Sequence, residues 1–580
     1  MAAITAFNVT QNSVIGSRTF PLTTIPDDYV YELTDTELAG LNDNDIIEFT
    51  PDQLIRAYRM FQTPFLVMPG TAVLPSAVET PFPYSANRAT WNTNQLNNFG
   101  ELQSALQNAQ ANTIIFMPPG DRSETGITID WVPTNNIFLV PHESNPTRFI
   151  NPNGQRLFTI RGSCGENSGL MIDLIEWARS GNNTDAIQFD SFQTPGFNQP
   201  FRITNSSFGN VGSSDMGSDD GLACVSWTGR PATRNVWIDH SDFVGIKRDG
   251  ARIDVQSADV PPLLAAYSNN ETWRTRPLNA QELDYDENVF GVSYDCGVAH
   301  CLFDSPGAPV PNVSSGGGDN FAAGSIYIDT RMVVSHCRFR NGASDEIIQH
   351  KSSGNIVQFI EFDSCRSAVS VRNGDNNSWR YLYAHGAQDN GIGPIAGVGN
   401  IVQDYVLHSN RQNDTGAGRV RYPRGGIRGN GTLIFPLKDN ILRNFTLVNE
   451  TGGVTRGAFQ IGLIDEFAGS FDLTDAQIAT DRHQVAVENL LLENIDILVN
   501  NGDAVNFQIG DYAQGGRNFT FPDLNDVTCS GLRVWTNGSA NAGNAAALQS
   551  DFQLNQGAEP DHTMLGPQTI GSFAAGKMVA

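Results

Sequence analysis

The stretch NIVQFIEFDSCRSAVSVRNGDNNSWRYLYAHGAQDNGIGPIAGVGNIVQDYVLH (residues 355–408) decides the predicted fold. Three phrases within it begin at Asn355, Asn377 and Asn400, which are 22 and 23 residues apart. Each phrase alternates apolar and polar residues, as a half-buried strand does, and a turn rich in Gly, Asn and Asp follows. The spacing therefore predicts a structural repeat of one coil.

Related phrases extend this repeat along the chain. They begin at Asn235, Asn440 and Asn489, and a similar phrase without the asparagine begins at Met332. A strand that recurs about every 22 residues cannot bury its inner face alone, whereas stacked parallel coils can. We therefore predict an all-β chain that forms a right-handed, single-stranded parallel β-helix, with asparagines of successive coils stacked as an internal ladder.

A short helix is predicted at the N-terminal end of the coils. Within NFGELQSALQNAQ, apolar residues recur at helical spacing at Phe99, Leu102, Ala105, Leu106 and Ala109. The first strand is then expected in NTIIFMPPG, from Asn112. An amphipathic helix at this place would cover the open end of the β-helix, where strand edges and core are otherwise exposed.

The N-terminal 90 residues lack the coil period. In TPDQLIRAYRMF, Thr50 suits a helix N-cap and Pro51 the first helical position, so a helix is predicted there. The proline-rich segment FLVMPGTAVLPSAVETPFPYS follows as a linker. We predict an attachment or assembly module at 1–90, the β-helix at 91–540 and a C-terminal tail at 541–580.

Composition excludes several classes of function. The 62 acidic residues outnumber the 36 basic ones, which argues against nonspecific nucleic-acid binding. We find no apolar run of about 18 residues, so we expect no membrane insertion. The first residues show no recognisable signal peptide. The seven cysteines lack CxxC spacing, and we interpret them as buried small hydrophobic residues.

The candidate catalytic residues lie in EIIQHKSSGN and the following SVRNG. Lys351 is one of four lysines in the chain, and it lies between Glu346 and Arg372. An amine flanked by an acid and a guanidinium suits proton abstraction next to a carboxylate. The alternative interpretation is a solvated loop lysine.

Three phrases resemble polysaccharide lyase family six, which contains alginate lyases and chondroitinase B. They are WIDHSDFVGIKRDGARIDV from Trp237, AHCLFD from Ala299 with the Gly-rich SSGGGDNFAAGSIYI, and the segment EIIQHKSSGN through SVRNG. The resemblance covers roughly residues 110–500 in the family's order. It implies a pectate-lyase-like β-helix that cleaves a uronate-containing polysaccharide by β-elimination.

The resemblance also assigns roles to individual residues. It makes Lys351 the base and Arg372 the group that stabilises charge, and it matches Lys247 to a family lysine. Glu346 corresponds to a calcium ligand, and Asn320 is the nearest counterpart of the family's asparagine ligand. The alternative role for Glu346 is that of a carboxylate that caps a turn.

This chain departs from the family pattern at two further positions. Ser344 stands where calcium-dependent members have a second glutamate, and Asn373 stands where the family has histidine. A calcium ion needs six or more oxygen ligands, several of them anionic. The sequence therefore leaves Ca²⁺ as a cofactor open while arguing against a tightly held ion.

The segment RVRYPRGGIR concentrates four arginines in a chain of net charge −26. We expect them to form a loop about two coils beyond Arg372 that binds sugar carboxylates, or else to pair with neighbouring acids. They are Arg419, Arg421, Arg424 and Arg428.

Two functions follow from these observations. The first is a lyase for an acidic polysaccharide, and a virion-associated depolymerase would explain the N-terminal module and the lack of a signal. The second is an adhesive or structural β-helix, such as a viral fibre, tailspike or surface component, that has lost the lyase chemistry. In both cases we expect an extracellular or virion-surface location and a homo-oligomer or larger assembly formed through residues 1–90.

Overall fold

The computed structural model describes three N-terminal segments and most of the strands that follow. The described residues are 2–8, 13–20, 47–51, 91–131, 136–151, 155–162, 168–177, 185–189, 201–209, 223–228, 236–246, 249–254, 297–306, 313–316, 332–344, 346–351, 354–371, 377–386, 390–395, 397–409, 419–422, 425–428, 433–435, 437–449, 459–461, 484–485, 487–499, 505–509, 512–514, 517–519, 527–536, 540–541 and 553–554. The chain divides into two compact units, one of Met1–Thr90 with Gln568–Ser572 and the other of Trp91–Pro567 with Phe573–Ala580.

The first unit contains an antiparallel sheet of three described strands. Ala2–Asn8 lies between Ser13–Phe20 and Ile47–Pro51. The predicted start of a helix at Thr50 and Pro51 is wrong, because both residues belong to the third strand. Backbone pairing with Ile4 and Thr5 across the sheet outweighs the local capping signal. The proline-rich linker lies outside the described residues.

The second unit is a right-handed parallel β-helix, as predicted. One face, which we call face 1, is a parallel sheet of 13 strands among the described residues. Its strands are Ile127–Trp131, Phe158–Gly162, Ile187–Phe189, Ala223–Thr228, Asp249–Asp254, Val313–Gly316, Ile348–Lys351, Ser367–Val371, Asn390–Ile395, Arg419–Tyr422, Phe459–Ile461, Val505–Ile509 and Ala540–Asn541.

The rest of each coil belongs to a second parallel sheet, of 22 described strands. They are Asn92–Gln95, Thr113–Phe116, Asp121–Arg122, Ile137–Val140, Arg148–Asn151, Gly169–Leu170, Asp173–Trp177, Phe201–Thr204, Ser207–Gly209, Val236–Asp239, Asp242–Val244, Gly297–Ala299, Leu302–Asp304, Val333–Ser335, Arg338–Arg340, Ile356–Asp363, Ser378–His385, Ile401–Ser409, Ile441–Asn449, Leu490–Val499, Val527–Thr536 and Gln553–Leu554.

Three smaller sheets and two helical elements are also present among the described residues. A parallel sheet contains Gly397–Val398, Leu437–Lys438 and Val487–Glu488, and an antiparallel one contains Gly425–Arg428, Leu433–Phe435 and Gln484–Val485. Tyr512–Gln514 and Arg517–Phe519 form an antiparallel pair. The helical elements are a 3₁₀ turn at Phe99–Glu101 and an α-helix at Leu102–Asn108.

Each long strand of the second sheet bends at one residue in the left-handed region of backbone space. In Ile356–Asp363 this residue is Phe359, with φ 56°, and in Ser378–His385 it is Tyr381, also with φ 56°. The same position is occupied by His240, His300 and His336 in earlier coils. The bend turns the chain around the core, so one strand covers two faces of the coil.

The asparagine ladder is confirmed by direct hydrogen bonds between coils. The side-chain oxygen of Asn377 accepts the backbone N–H of Asn355 at 2.9 Å and its side-chain amide at 2.8 Å. Asn400 does the same for Asn377 at 3.0 and 2.9 Å, and Asn440 accepts the backbone N–H of Asn400 at 2.9 Å. These asparagines are buried, so the ladder satisfies turn groups that water does not reach.

Two of the phrases begin one residue away from the ladder. Leu490, not Asn489, stands in register with Asn440, and Asn489 instead donates its side-chain amide to Asp439 at 2.7 Å. Val236 occupies the ladder position of its own coil, so the alignment on Asn235 was one residue out. The ladder therefore covers four successive coils, and apolar residues replace it on either side.

The core is a column of stacked side chains along the coils. Phe208, Phe243, Phe303, Phe339 and Phe362 stack with ring centroids 4.6, 4.5, 4.8 and 5.5 Å apart. All five are buried. Burial on this scale, at about 25 cal/mol per Å² of apolar surface, is the main force that holds consecutive coils together.

The five described cysteines are free and buried, as predicted, and they are Cys224, Cys301, Cys337, Cys365 and Cys529. Burial raises the pKa of the Cys365 thiol to about 12, which removes it from thiolate chemistry near neutral pH. Cys164 and Cys296 lie outside the described residues.

The predicted capping helix is confirmed, with Leu102, Ala105 and Leu106 buried. It does not precede the first strand, however. Asn92–Gln95 comes before it and pairs in parallel with Thr113–Phe116. The helix therefore connects the first two strands of the β-helix. Among the described residues, no helix is long and apolar enough to cross a membrane.

The ladder gives a first prediction. Asn377→Ala removes the acceptor of two buried hydrogen bonds from Asn355, and each group left without a partner costs about 1–3 kcal/mol. We expect a clear fall in melting temperature, measured by circular dichroism.

Asn136→Ala is the matched control for that measurement. Its amide donates to Asn112 in an exposed bond of 3.0 Å, so its loss should change stability by no more than about 0.5 kcal/mol. Equal effects of the two substitutions would contradict a stabilising ladder.

Candidate functional site

The candidate base lies on face 1, at the end of a strand. Lys351 is the last residue of Ile348–Lys351 and pairs with Gly316 of the preceding coil. His350 pairs with Val371, the last described residue of the next coil. Arg372 follows Val371 in the sequence and lies outside the described residues. The described pairing of these two strands therefore stops at His350 and Val371, one residue before Lys351 and Arg372.

The residue beside Lys351 points into the core. Ile348 and His350 are fully buried, whereas Gln349 between them is partly exposed. Burial lowers the pKa of His350 to about 3, so its imidazole is neutral at physiological pH. Ile348 and His350 therefore face the core, so His350 is excluded as a solvent-facing acid, and Lys351 follows it at the end of the strand.

Glu346 lies close to the start of the same strand and is 4% exposed. Its carboxylate accepts the side-chain amide of Gln349. Its backbone also forms a closed turn with Ser344, whose hydroxyl donates to the Glu346 carbonyl at 2.9 Å and accepts its N–H at 3.2 Å. Ser344 therefore uses its oxygen locally, on the backbone of Glu346.

These contacts test the predicted calcium ligands. Of the three positions, Ser344 and Glu346 are described, and only Glu346 carries an anionic oxygen. That carboxylate is buried and engaged by an amide, whereas Ca²⁺ takes six to eight oxygens. The described ligand positions therefore supply one carboxylate, which an amide already binds, and Ca²⁺ as a cofactor stays a prediction. Asn320 lies outside the described residues, as do Lys247 and Arg424.

The three described arginines of this segment do not lie in one loop, contrary to the prediction. Arg419 and Arg421 belong to the face 1 strand Arg419–Tyr422, which is two strands beyond Ser367–Val371. Arg428 ends Gly425–Arg428, in the small antiparallel sheet. The glycines at 425 and 426 begin a new strand, so the chain leaves face 1 between Arg421 and Arg428.

A charged network on face 1 escaped the sequence analysis. Asp185 accepts the backbone N–H of Ala223 at 2.9 Å and the hydroxyl of Ser226 at 2.5 Å. Burial raises the pKa of the Asp185 carboxyl, while Ser226, Ala223 and the nearby Arg252 and Arg156 pull it the other way. The network thus holds a partly desolvated acid among polar groups of three further coils.

Asp185 occupies the same place in its coil as Glu346. Each stands two residues before a paired position, Ile187 or Ile348, and these two are connected through Val225, Ala251 and Val313. Four strand spacings of about 4.8 Å separate them, or about 19 Å. The irregular spacing of the early coils hid this equivalence, because it becomes visible only when the strands are paired.

The fold defines a class, the single-stranded parallel β-helix. Solved structures of family six lyases share it. The alginate lyase AlyGC aligns at TM-score 0.52 and 13% identity over 83% of this chain and 56% of its own. A mannuronic acid specific lyase from human gut microbiota aligns at 0.51 and 14%, over 81% and 92%. Alginate lyase AlyF-OU02 with G6 aligns at 0.51 and 12%, over 86% and 97%.

At these identities the likeness establishes the fold, and this confirms the β-helix that the three phrases predicted. This chain spans about half the length of AlyGC and nearly all of the other two. No family model and no curated protein matches the sequence.

The raised pKa of Asp185 gives a second prediction. Above its ordinary value of 3.8, the folded protein holds a proton there that the unfolded chain releases. The carboxyl therefore costs stability as pH rises through that window. The difference in melting temperature between Asp185→Asn and the parent protein should therefore shift in favour of Asp185→Asn as pH is raised from 3.8 towards neutrality.

Ser226→Ala provides the opposing variant. It removes a hydrogen bond that favours the charged carboxylate, so it should deepen the pH-dependent loss. A difference between Asp185→Asn and the parent that stays constant with pH would contradict a raised pKa.

Proposed function

We propose that this protein cleaves an acidic, uronate-containing polysaccharide by β-elimination, with Lys351 as the base. The supporting observation is the position of Lys351 on face 1. It ends a strand beside Gly316, and the adjacent coil reaches Val371, next in sequence to Arg372. Lys351 and Arg372 are 21 residues apart, close to one coil, as two groups acting on one sugar residue must be.

The reaction requires a neutral amine next to a charge-stabilising group. The Lys351 amine takes the C5 proton of the uronate, the C–H electron pair forms the C4–C5 double bond, and the C4–O4 bond breaks. The leaving O4 takes a proton from water. Arg372 offsets the charge that develops on the uronate carboxylate, and a nearby guanidinium also lowers the pKa of an amine.

The remaining polar positions of face 1 suit a polysaccharide chain. The backbone register aligns Arg252 with Ser314 and Ser314 with Gln349, which forms a column of polar residues along this sheet. Arg419 and Arg421 lie on the same sheet beyond the Lys351 strand. In a protein of net charge −26, arginines on the face that meets the substrate would be needed to bind an anionic polymer.

A second candidate function is binding without cleavage. The observation that favours it is the buried Glu346, whose carboxylate is engaged by Gln349 rather than left open to a ligand. Together with Ser344 and Asn373, this arrangement would leave an adhesive β-helix that holds acidic polysaccharide on face 1. The two functions differ in turnover, so the same incubation tests both.

We predict that the protein releases unsaturated uronate products from at least one of alginate, pectate or a glycosaminoglycan, with or without added calcium. Lys351→Ala should reduce this absorbance signal by at least about a hundredfold, because general base catalysis supplies 10²–10⁴-fold. Lys438→Ala is the control, since Lys438 lies in the short strand Leu437–Lys438 and not on face 1.

Equal activity of Lys351→Ala and Lys438→Ala would rule out Lys351 as the base. Saturable binding of a uronate polymer with no product from any of the substrates would establish the adhesive function. Melting temperatures of both variants show whether either change acts through folding.

We further propose that residues 1–90 form an attachment or assembly module, which would place the β-helix on a virion or cell exterior. Its support is the clustering of Met1–Thr90 into a compact unit with its own antiparallel sheet. Deletion of residues 1–90 should leave a folded β-helix that has lost higher oligomers, as measured by light scattering. A deletion protein that fails to fold would contradict this role. So would one that forms assemblies with the same number of subunits as the parent.

A further inference from the structure

A cluster of metal-ligating side chains lies on the second sheet, away from the proposed site. Glu361 and Asp363 are two residues apart on one strand, so they share its outer face. His385 pairs directly with Asp363 in the next coil. One donor atom from each of the three lies within 4.8 Å of the others. The parallel register itself therefore brings the three together.

Arg338, from the preceding coil, fixes the two carboxylates. Its guanidinium nitrogens lie 3.2 Å from Oε2 of Glu361 and 2.9 Å from Oδ2 of Asp363. The other oxygens turn towards the imidazole, with Oε1 of Glu361 3.0 Å from Nε2 of His385 and Oδ1 of Asp363 3.7 Å from Nδ1. One oxygen of each acid thus binds arginine while the other faces histidine.

We propose that Glu361, Asp363 and His385 bind a divalent first-row transition cation, with Zn²⁺ the best match. Carboxylate oxygens and imidazole nitrogens are both ligands that Zn²⁺ accepts, whereas Ca²⁺ and Mg²⁺ prefer oxygen alone. The three side chains are 12%, 19% and 30% exposed. That exposure leaves room for water to complete the coordination.

The charges around the cluster allow a cation. Asp304, Glu361 and Asp363 supply three negative charges, and Arg338 and Arg340 supply two positive ones. These five side chains together carry one net negative charge. Oδ1 of Asp363 also accepts the hydroxyl of Ser364 at 3.0 Å, and a carboxylate oxygen has a second lone pair for a metal.

A cation in this place would join two consecutive coils. Glu361 and Asp363 come from Ile356–Asp363, and His385 comes from Ser378–His385. Because the folded protein alone presents the three ligands together, binding would stabilise it by mass action. The site is independent of the proposed lyase activity, since Lys351 lies on the other sheet.

The experiment is a titration of the full-length protein with ZnSO₄ by calorimetry after dialysis against EDTA. We expect one saturable site in the micromolar range or tighter and a rise in melting temperature with Zn²⁺. His385→Ala and Glu361→Gln should each weaken that site by at least about tenfold. Glu361→Gln keeps the side-chain volume, so it tests the ligand where His385→Ala disturbs packing.

Two control variants match the ligands in type and place. His408 lies directly beyond His385 in the next coil, and Asp496 occupies the Glu361 column, where Arg533 holds it at 2.6 and 2.7 Å. His408→Ala and Asp496→Asn should bind Zn²⁺ as the parent does. The proposal is overturned if the parent shows no saturable site, in which case His385 serves only as an ion-pair partner. It is also overturned if His385→Ala and Glu361→Gln bind as tightly as the parent.

Discussion

In-register stacking of parallel coils is the constraint on which the rest of this structure depends. Each residue of a coil lies about 4.8 Å above its equivalent in the coil before, so every position is repeated as a column. A column is stable only if its residues can stack on their own kind or on a complement. Phenylalanine satisfies this in the core, with centroids as close as 4.5 Å, and asparagine satisfies it in the turn.

The same constraint accounts for bulky residues in an unfavourable backbone conformation. Phe359 and Tyr381 have φ of 56°, a region that bulky side chains rarely occupy and that costs about 1–3 kcal/mol. Their rings stack at 4.6 Å, and His336 stacks on Phe359 at 4.8 Å. The stacking offsets part of the cost of a bend that recurs in each coil from Asn205 to Gly531, which is why the column tolerates aromatic residues where Asn or Gly would be easier.

Charged columns obey the rule in its complementary form. Arg338 stands below Glu361, and Asp496 stands below Arg533, so each of these acids has a base in the adjacent coil. Asp239 is fully buried between Arg202, at 2.5 Å, and the hydroxyl of Thr204, and the attraction of Arg202 lowers its pKa despite burial. Pairs on the exposed faces add little stability individually. Their effect is to fix which polar atoms face each other across coils.

Sequence alone predicted the fold because in-register stacking makes similar residues recur at a spacing of about one coil. Asn355, Asn377 and Asn400 recur at nearly one coil length, and the helix at Leu102–Asn108 shows its apolar stripe. Asn489 was placed one residue out because a local alignment cannot distinguish a ladder asparagine from its left-handed neighbour, here with φ 50°. The Asp185 network was missed for a related reason. Its partner Ser226 is 41 residues away, and only strand pairing shows that the two meet.

In-register stacking also explains how this fold can be kept while the residues that could carry out chemistry change. A column demands a kind of side chain rather than one residue, so identity with solved lyases can fall to 12–14% while TM-scores stay at 0.51–0.52. Partly exposed positions such as Gln349 lie outside the core, and they can change without disturbing the stack. Inner positions such as His350 cannot, since a charged or larger group there would lie in the core. Loss or gain of catalysis on this scaffold therefore depends on a few outer residues, and the stability of the coils does not select for them.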